Sequence, residues 1–125
     1  MKNEFLNELS GIVDYKKSSF LLAVSGGVDS MVLLHLFKHT SLTFSVAHCN
    51  FLLRGNDSDN DELFVKSVCE KYRTNFFVKK FETAKIASKN TISIQMAARN
   101  LRYKWFYDLV DKNKFDYIIK NESLH

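Results

Sequence analysis

Apolar and polar positions alternate along the chain in two distinct ways, and each predicts a type of secondary structure. Short, nearly continuous apolar runs such as FLLAV at 20–24 are typical of strands that are covered on both faces. Longer stretches with apolar residues three or four positions apart are typical of helices that pack one face against a core. We therefore predict strands at 20–24, 42–48, 75–81 and 116–120 and helices at 4–15, 31–38, 59–72 and 93–113.

The order of these elements predicts an α/β fold. Strands that alternate with helices form right-handed crossovers, which build a parallel sheet with helices on both faces. The helix at 31–38 is apolar nearly all round, so we expect it to be buried on every side. In such sheets ligands bind beyond the carboxyl ends of the strands, near the point where the strand order reverses.

The loop between the first strand and the next helix, SGGVDS at Ser25–Ser30, carries the strongest chemical signal. Gly26 and Gly27 permit positive φ angles and let backbone N–H groups approach an anion closely. The N-terminus of the following helix directs further N–H groups and its positive dipole end at the same place. The loop has no lysine, unlike the GxxxxGK[ST] loop that reaches β- and γ-phosphates. It therefore predicts a site for pyrophosphate as a leaving group, with the chemistry at an α-phosphate.

Composition narrows the class of protein without identifying a ligand. Lys and Arg number 18 against 14 Asp and Glu, and the resulting charge of +4 permits an anionic partner without requiring one. The two cysteines, Cys49 and Cys69, form no CxxC pair, which favours reduced thiols in a cytoplasm. No run approaches the roughly 20 apolar residues that span a bilayer, and the first residues lack the apolar core of a secretory signal. We expect no membrane partner.

Polar residues after the second strand are weaker candidates. His48 either contacts adenine or ribose or has a structural role. Arg54 either engages phosphate or belongs to an ordinary turn. The acidic segment 56–62 lacks the Gly and Glu positions of a calcium loop, and Asp59 with Glu62 instead predicts the capped start of a helix. We assign no metal ligands from these residues.

The helix predicted at 93–113 has two organised faces. Arg99 and Arg102 lie on one face, with Tyr103 and Phe106 at the same helical spacing. Arginine forks match phosphate oxygens, so this face either contacts RNA phosphate or ATP or is a solvated basic surface. The opposite face is the predicted core stripe of Ile94, Ala97, Ala98, Leu101, Trp105 and Leu109.

SGGVDS is the signature of the PP-loop ATP pyrophosphatases, which this chain resembles. Within that superfamily it resembles the tRNA(Ile)-lysidine synthetases in SGGVDSMVLLHLF at 25–37, AHCNFLLRGNDSDNDELFVKSVCE at 47–70 and SIQMAARNLRYKWF at 93–106. The resemblance covers about residues 18–119. It implies a Rossmann-like PP-loop domain that uses ATP and Mg²⁺.

The resemblance also implies a reaction. Such enzymes adenylate C2 of the wobble cytidine of tRNA(Ile), and L-lysine then displaces AMP to give lysidine, which changes codon recognition from AUG to AUA. It implies that Asp29 contacts metal or deprotonates lysine and that Arg99 and Arg102 contact phosphate or RNA. Neither the residues nor the resemblance decides between a monomer and a homodimer. The residues implied to hold the pyrophosphate are Ser25, Gly26, Gly27, Val28, Asp29 and Ser30.

The resemblance ends near residue 120. KNESLH follows the fourth strand at 120–125, where the family has an A-H-H-x-D-D segment. We therefore interpret 1–125 as an N-terminal PP-loop ATP-binding domain, truncated at its C-terminal end, and expect weak or no turnover. Two alternatives stay open: another PP-loop adenylating ligase or amidotransferase that acts on a small molecule, and a catalytically inactive ATP-binding fragment.

Overall fold

A parallel sheet flanked by helices makes up residues 17–120, the part of the chain that the computed structural model describes. Its strands are β1 (Ser19–Ala23), β2 (Thr43–Asn50), β3 (Phe76–Lys80) and β4 (Tyr117–Lys120), and its helices are α1 (Val28–Lys38), α2 (Asn56–Tyr72), α3 (Thr83–Asn90) and α4 (Ile94–Asn113). The strand order is β3-β2-β1-β4, and every neighbouring pair is parallel. The predicted α/β class is confirmed, whereas the helix predicted at 4–15 lies outside the described residues.

The direction in which strands are added reverses at β1. The chain places β2 and then β3 on one side of β1 and returns to place β4 on the other side. The register aligns Leu22 of β1 with Val46 of β2 and with Ile119 of β4. The carboxyl ends of these strands therefore meet at the switch point, where proteins with open α/β sheets bind their ligands.

Alternate residues of β1 face two separate apolar cores. Phe20 and Leu22 point to one face of the sheet and Leu21 to the other, as the strand period of two requires. Burial of each such side chain stabilises the fold by about 1.5–3 kcal/mol, so the uninterrupted run FLLAV anchors both cores. The first core consists of Phe20, Leu22, Val24, Leu34, Phe37, Leu42, Val46, Val65 and Cys69, and the second of Leu21, Ala47, Phe106 and Leu109.

Helix α1 is buried on one face only, so the prediction that it is buried on every side is wrong. Its inner face carries Ser30, Leu34 and Phe37. Val28 and Val32, on the outer side, are 80% and 38% exposed. A helix in a single layer on a sheet buries one stripe, and its other side faces outward. No helix within residues 17–120 is long and apolar enough to cross a membrane.

Helix α4 is rotated relative to its predicted core stripe. Ile94 is 43% exposed, whereas Phe106 is 2% exposed and packs in the second core with Leu21. The sequence pattern placed Phe106 on the face of Arg99 and Arg102, away from the core, and this placement is wrong. Of this face, Phe106 packs against the sheet, Arg102 is half-buried and Arg99 is exposed. The members of the predicted stripe that are buried are Ala97 and Leu109.

Helix α3 has no counterpart among the predicted elements. It spans eight residues, Thr83–Asn90, and its buried residues are Thr83 and Ala87. The helix is only eight residues long and buries no large apolar side chain, whereas sequence patterns identify long periodic segments most readily.

The junction between β2 and α2 differs from the prediction. Helix α2 begins at Asn56 with Gly55 as its N-cap and no capping side chain, so the predicted capping by Asp59 and Glu62 is wrong. Strand β2 instead extends to Asn50, whose side-chain amide donates hydrogen bonds to Asp59 at 3.0 Å and to Glu62 at 3.1 Å. These carboxylates fasten the helix to the end of the strand.

Candidate functional site

The loop Ser25–Ser30 closes around the Ser30 hydroxyl. The Ser30 Oγ accepts hydrogen bonds from the backbone N–H groups of Ser25 and Gly26, each at 3.2 Å, and donates to the Gly27 carbonyl at 3.0 Å. The Ser25 hydroxyl lies 3.2 Å from that of Ser30 and accepts from the Gly27 N–H at 3.2 Å. The two serines thus gather amide and hydroxyl groups of the loop around one point.

The two adjacent glycines have different roles. Gly26 has a φ of +97°, a conformation that residues with a side chain rarely adopt. A Cβ at Gly26 would lie 3.4 Å from the Cβ of Asp61 in α2. Gly27 is the N-cap of α1 with a φ of −72°, which any residue adopts. The expected use of positive φ is therefore confirmed for Gly26 and does not apply to Gly27.

The first turn of α1 offers backbone donors to the same loop. The N–H of Met31 bonds to the carbonyl of Gly27 at 3.0 Å. The N–H groups of Val28, Asp29 and Ser30 precede it and have no acceptor within the helix. Together with the positive end of the helix dipole, such groups favour an anion.

A cleft of about 320 Å³ opens beside the loop. Ser25 and Ser30 line it together with Arg99 and Arg102 of α4. This volume falls in the range of roughly 300–1,000 Å³ that is typical of ligand sites. The fold therefore brings together two groups of predicted site residues that lie some seventy positions apart in the chain. The other lining residues are Ala23, Val24, Ala47, Cys49, Phe51, Phe106 and Lys120.

Tyr103 organises the positive charge of this cleft. The guanidinium carbons of Arg99 and Arg102 lie 5.0 and 5.2 Å from the centre of its ring. The Lys120 Nζ lies 4.2 Å from the same centre and donates to the Tyr103 hydroxyl at 3.0 Å. Each contact of a cation with an aromatic face stabilises by about 0.5–1 kcal/mol at exposed sites. Three cations are thus held around one ring at the edge of the cleft.

Arg102 has an unsatisfied donor. Its Nε is buried and has no hydrogen-bond partner among residues 17–120. A buried donor on a cation is costly when it is unpaired, so the cleft suits a ligand with anionic oxygens.

Cys49 lines the cleft as a neutral thiol. Burial raises the pKa of Cys49 to about 12, and the nearby positive charge of Arg102 offsets only part of this rise. The thiolate is the nucleophilic form of cysteine, so Cys49 is not a nucleophile at neutral pH.

A second hollow, of about 300 Å³, adjoins the first, and the two share Ser25, Cys49 and Phe51. His48, one of the weaker sequence candidates, lines this second hollow and is 2% exposed. Its Nδ1 lies 2.8 Å from the carbonyl oxygen of Val24, the residue before the loop. His48 therefore fastens the end of β2 to the start of the loop.

Arg54 lines the second hollow as a partner in a surface ion pair. It bonds to the carboxylate of Asp61, and the two side chains are 63% and 37% exposed. Such pairs stabilise a fold by only about 0–1 kcal/mol. The contact of Arg54 with phosphate stays a prediction.

Asp29 is exposed in the first turn of α1 and is not among the residues that line the two hollows described above. Residues 17–120 contain no group of three or more His, Cys, Asp and Glu side chains placed to hold a metal ion. The role of Asp29 as a metal contact or as a base stays a prediction.

The chain matches a known protein family over nearly its whole length. The profile of the PP-loop domain matches residues 1–124. The chain belongs to the PP-loop family. Its fold is similar to that of the NH3-dependent NAD synthetase from Campylobacter jejuni, solved with a nitrate ion, with a TM-score of 0.67 over 88% of this chain and 50% of that one. At 16% identity this similarity concerns the fold alone.

Relatives of this PP-loop domain with higher identity are named tRNA(Ile)-lysidine synthases. That of Chlorobaculum tepidum is 50% identical over 93 residues, that of Bacteroides thetaiotaomicron 46% over 86, and that of Petrotoga mobilis 40% over 107. These matches cover 71%, 69% and 82% of this chain but 28%, 20% and 34% of the relatives. The resemblance seen in the motifs is confirmed, and the chain spans about a fifth to a third of the length of these relatives.

Sequence patterns missed two contributors to the site of this PP-loop domain, Lys120 and Phe51, and the partners of a third, Asn50, which they placed at the end of the second strand. Lys120 reaches the cleft because β4 lies beside β1. Asn50 fastens α2 to the end of β2, and Phe51 lines both hollows. The A-H-x-N opening in the second strand contained the signal for Asn50, but its partners depend on the packing of α2.

Proposed function

We propose that this PP-loop domain binds ATP, holds its pyrophosphate in Ser25–Ser30 and serves the adenylation of C2 of the wobble cytidine of tRNA(Ile), after which L-lysine displaces AMP. The observation that carries the proposal is the single cleft lined by the loop serines and by Arg99 and Arg102. The relatives named tRNA(Ile)-lysidine synthases, at 40–50% identity, support this choice of substrate.

In the proposed reaction, catalysis comes from positive charges and hydrogen-bond donors that are positioned around the phosphates. In the first step the O2 atom of cytidine attacks the α-phosphorus, and pyrophosphate leaves. The amides of the first turn of α1 and the hydroxyls of Ser25 and Ser30 bind the oxygens of pyrophosphate, which gain negative charge as that bond breaks. In the second step the amine of lysine attacks C2, and AMP leaves with the O2 atom. No covalent enzyme intermediate is needed, and Cys49, a protonated thiol, forms none.

Arg99 and Arg102 hold phosphate oxygens across from the loop. Their guanidinium groups present several N–H donors in a planar fork that matches phosphate. The unpartnered Nε of Arg102 is suited to such an oxygen. This placement aligns the α-phosphate with the attacking base, so that positioning lowers the barrier.

Asp29 suits contact with a Mg²⁺ ion that enters with ATP. Magnesium in nucleotide sites is usually held by one or two carboxylates together with substrate phosphates. Such an ion neutralises phosphate charge during the reaction. As the alternative role, Asp29 accepts the proton of the attacking lysine amine.

A cytoplasmic location fits this function. The substrate is a tRNA, and Cys49 and Cys69 are both free cysteines. A homodimer is compatible with the proposal, which requires no residue from a second copy.

Exchange of labelled pyrophosphate into ATP tests the proposed function. We expect exchange to be stimulated by tRNA(Ile) with cytidine at the wobble position. The matched control is the same tRNA with uridine there, which should not stimulate. Stimulation by a small carboxylic acid and not by tRNA would support a PP-loop ligase that acts on a small molecule.

A second candidate function is ATP binding without turnover. It is favoured by the described lining of the cleft, which contains no carboxylate to hold a metal ion or accept a proton. ATP binding that competes with pyrophosphate, with no exchange under any condition, would support it.

A further inference from the structure

His48 carries a buried hydrogen-bond acceptor that lacks a donor. A carbonyl oxygen only accepts, so the Nδ1 of His48 donates to Val24 across their 2.8 Å contact. In the tautomer that carries its proton on Nδ1, Nε2 has a lone pair, and this atom is buried and unpartnered among residues 17–120. An unsatisfied buried acceptor is costly and points to a ligand donor.

Apart from the Cys49 thiol, the other polar side chains described around the second hollow already have hydrogen-bond partners. Asn50 already donates to Asp59 and Glu62 and accepts from the N–H of Leu52. The other polar side chains that line the hollow are also engaged. Arg54 bonds to Asp61, Ser58 accepts the Arg54 N–H, and Ser25 bonds within the loop.

An Nε2 that acts as an acceptor does not pair with phosphate. Phosphate oxygens are acceptors, and a neutral Nε2 lone pair repels them. The hollow nevertheless shares Ser25 with the cleft beside the phosphate loop. A ligand that spans both must present anionic oxygens to Ser25–Ser30 and an N–H or O–H donor to His48.

We propose that the Nε2 of His48 accepts a hydrogen bond from the nucleoside part of the bound nucleotide and thereby selects it. The group that His48 contacts is a hydrogen-bond donor, either the amino group of adenine or a ribose hydroxyl. The proposal rests on the proposed function, because the phosphates of the same nucleotide occupy the loop. His48 also positions the loop. Its Nδ1 bonds to Val24, whereas its Nε2 contacts the nucleoside.

Calorimetric binding to the 125-residue chain tests the proposal with four nucleotides: ATP, ITP, 2′-deoxyATP and 3′-deoxyATP. ITP lacks the amino group, and each deoxy analogue lacks one hydroxyl. We expect one analogue to bind the wild type about tenfold more weakly than ATP, the effect of one lost hydrogen bond. A loss with ITP assigns the base as the source of the donor, and a loss with a deoxy analogue assigns the ribose.

Two substitutions separate selection from positioning. In His48→Asn the amide nitrogen takes the place of Nδ1 and can keep the bond to Val24, but nothing replaces Nε2. This variant should bind ATP and the discriminated analogue equally, about tenfold more weakly than the wild type binds ATP. In His48→Gln the amide oxygen reaches the place of Nε2, and part of the preference for ATP should return. Urea unfolding of each variant checks that it folds.

Equal binding of all four nucleotides by the wild type would overturn the proposal, as would a preference that persists in His48→Asn. If His48→Asn does not fold, the wild-type series and His48→Gln still decide. Competition with inorganic pyrophosphate identifies a failure of the proposed function. If pyrophosphate competes with ATP but every analogue binds as tightly as ATP, the result supports pyrophosphate binding by the loop and contradicts the role of His48. If neither pyrophosphate nor ATP binds, both proposals fall.

Discussion

The hydroxyl oxygens of Ser25 and Ser30 lie 3.2 Å apart, at the two ends of the segment that leads from β1 into the first turn of α1. This pair closes the loop, because Ser30 also accepts the backbone N–H groups of Ser25 and Gly26. The amides of the loop are thereby held next to the first turn of α1. An anion at this place meets donors that are already positioned, so little conformational freedom is lost on binding.

Removal of the Ser30 hydroxyl should loosen the loop. Ser30→Ala leaves the N–H groups of Ser25 and Gly26 without their acceptor, and we expect a loss of about 1–3 kcal/mol in the free energy of unfolding. Urea denaturation measures this loss, and calorimetry should show about tenfold weaker pyrophosphate binding. Ser67→Ala is the matched control, since the Ser67 hydroxyl bonds only to Phe64 within α2 in the described structure. Pyrophosphate affinity equal to wild type in Ser30→Ala would contradict the role of the loop.

The two glycines should respond differently to the same substitution. Gly26→Ser places a side chain at a φ of +97°, and we expect a destabilisation of about 1–3 kcal/mol with weaker pyrophosphate binding. Gly27→Ser places a favourable N-cap residue at a φ of −72°, and stability should be unchanged or slightly higher. Thermal and urea unfolding of the pair provide the comparison. Similar losses in both variants would show that strain at Gly26 is not the cause.

Arg102 should contribute more to anion binding than a surface cation does. Arg102→Gln removes a charge and the buried, unpartnered Nε, and we expect about tenfold weaker binding of ATP or tRNA(Ile). If Arg102 contacts RNA phosphate, the slope of log affinity against log salt should fall by about 0.7–0.9. Arg102→Lys should restore only part of the affinity, because it keeps the charge and loses the fork. Lys89→Gln, at an exposed position of α3, is the control, and an effect of equal size there would refute a specific contact.

The two cysteines should make stability fall at alkaline pH. Burial raises the pKa of Cys49 to about 12 and that of Cys69 to about 11, above the ordinary value of 9.0. The folded state thus holds both thiol protons more tightly than the unfolded state. Their contribution is complete below pH 9 and is lost as the pH rises toward 11–12. Urea midpoints between pH 8 and pH 10.5 should fall less in Cys49→Ala than in the wild type, and parallel curves would contradict the assigned pKa of Cys49.

Local patterns were sufficient to place the strands and most of the helices along the chain. The buried run at β1 and the amphipathic period of α2 arise from neighbours within a few positions, which a sequence displays directly. Helix α3 was missed because it is only eight residues long and buries two small side chains, Thr83 and Ala87. The prediction of an anion site at Ser25–Ser30 also rests on local features, namely a strand, a glycine turn and a helix start.

Packing decided which residues meet at the loop. Phe106 faces the second core because α4 is rotated on the sheet, and this rotation brings Arg99 and Arg102 into the cleft of Ser25. Helical spacing alone predicts that residues share a face but not where that face points.

The sequence by itself determined the class of fold, the Ser25–Ser30 loop and its relation to PP-loop proteins, because these depend on residue type and short-range spacing. Only the tertiary structure decided that Lys120 lies beside Tyr103 and that the Nε2 of His48 is buried with no partner among residues 17–120. Both depend on which strands lie side by side at the switch point. Hydrogen-bond satisfaction is a property of through-space neighbours, which residues distant in the chain acquire only when the sheet forms.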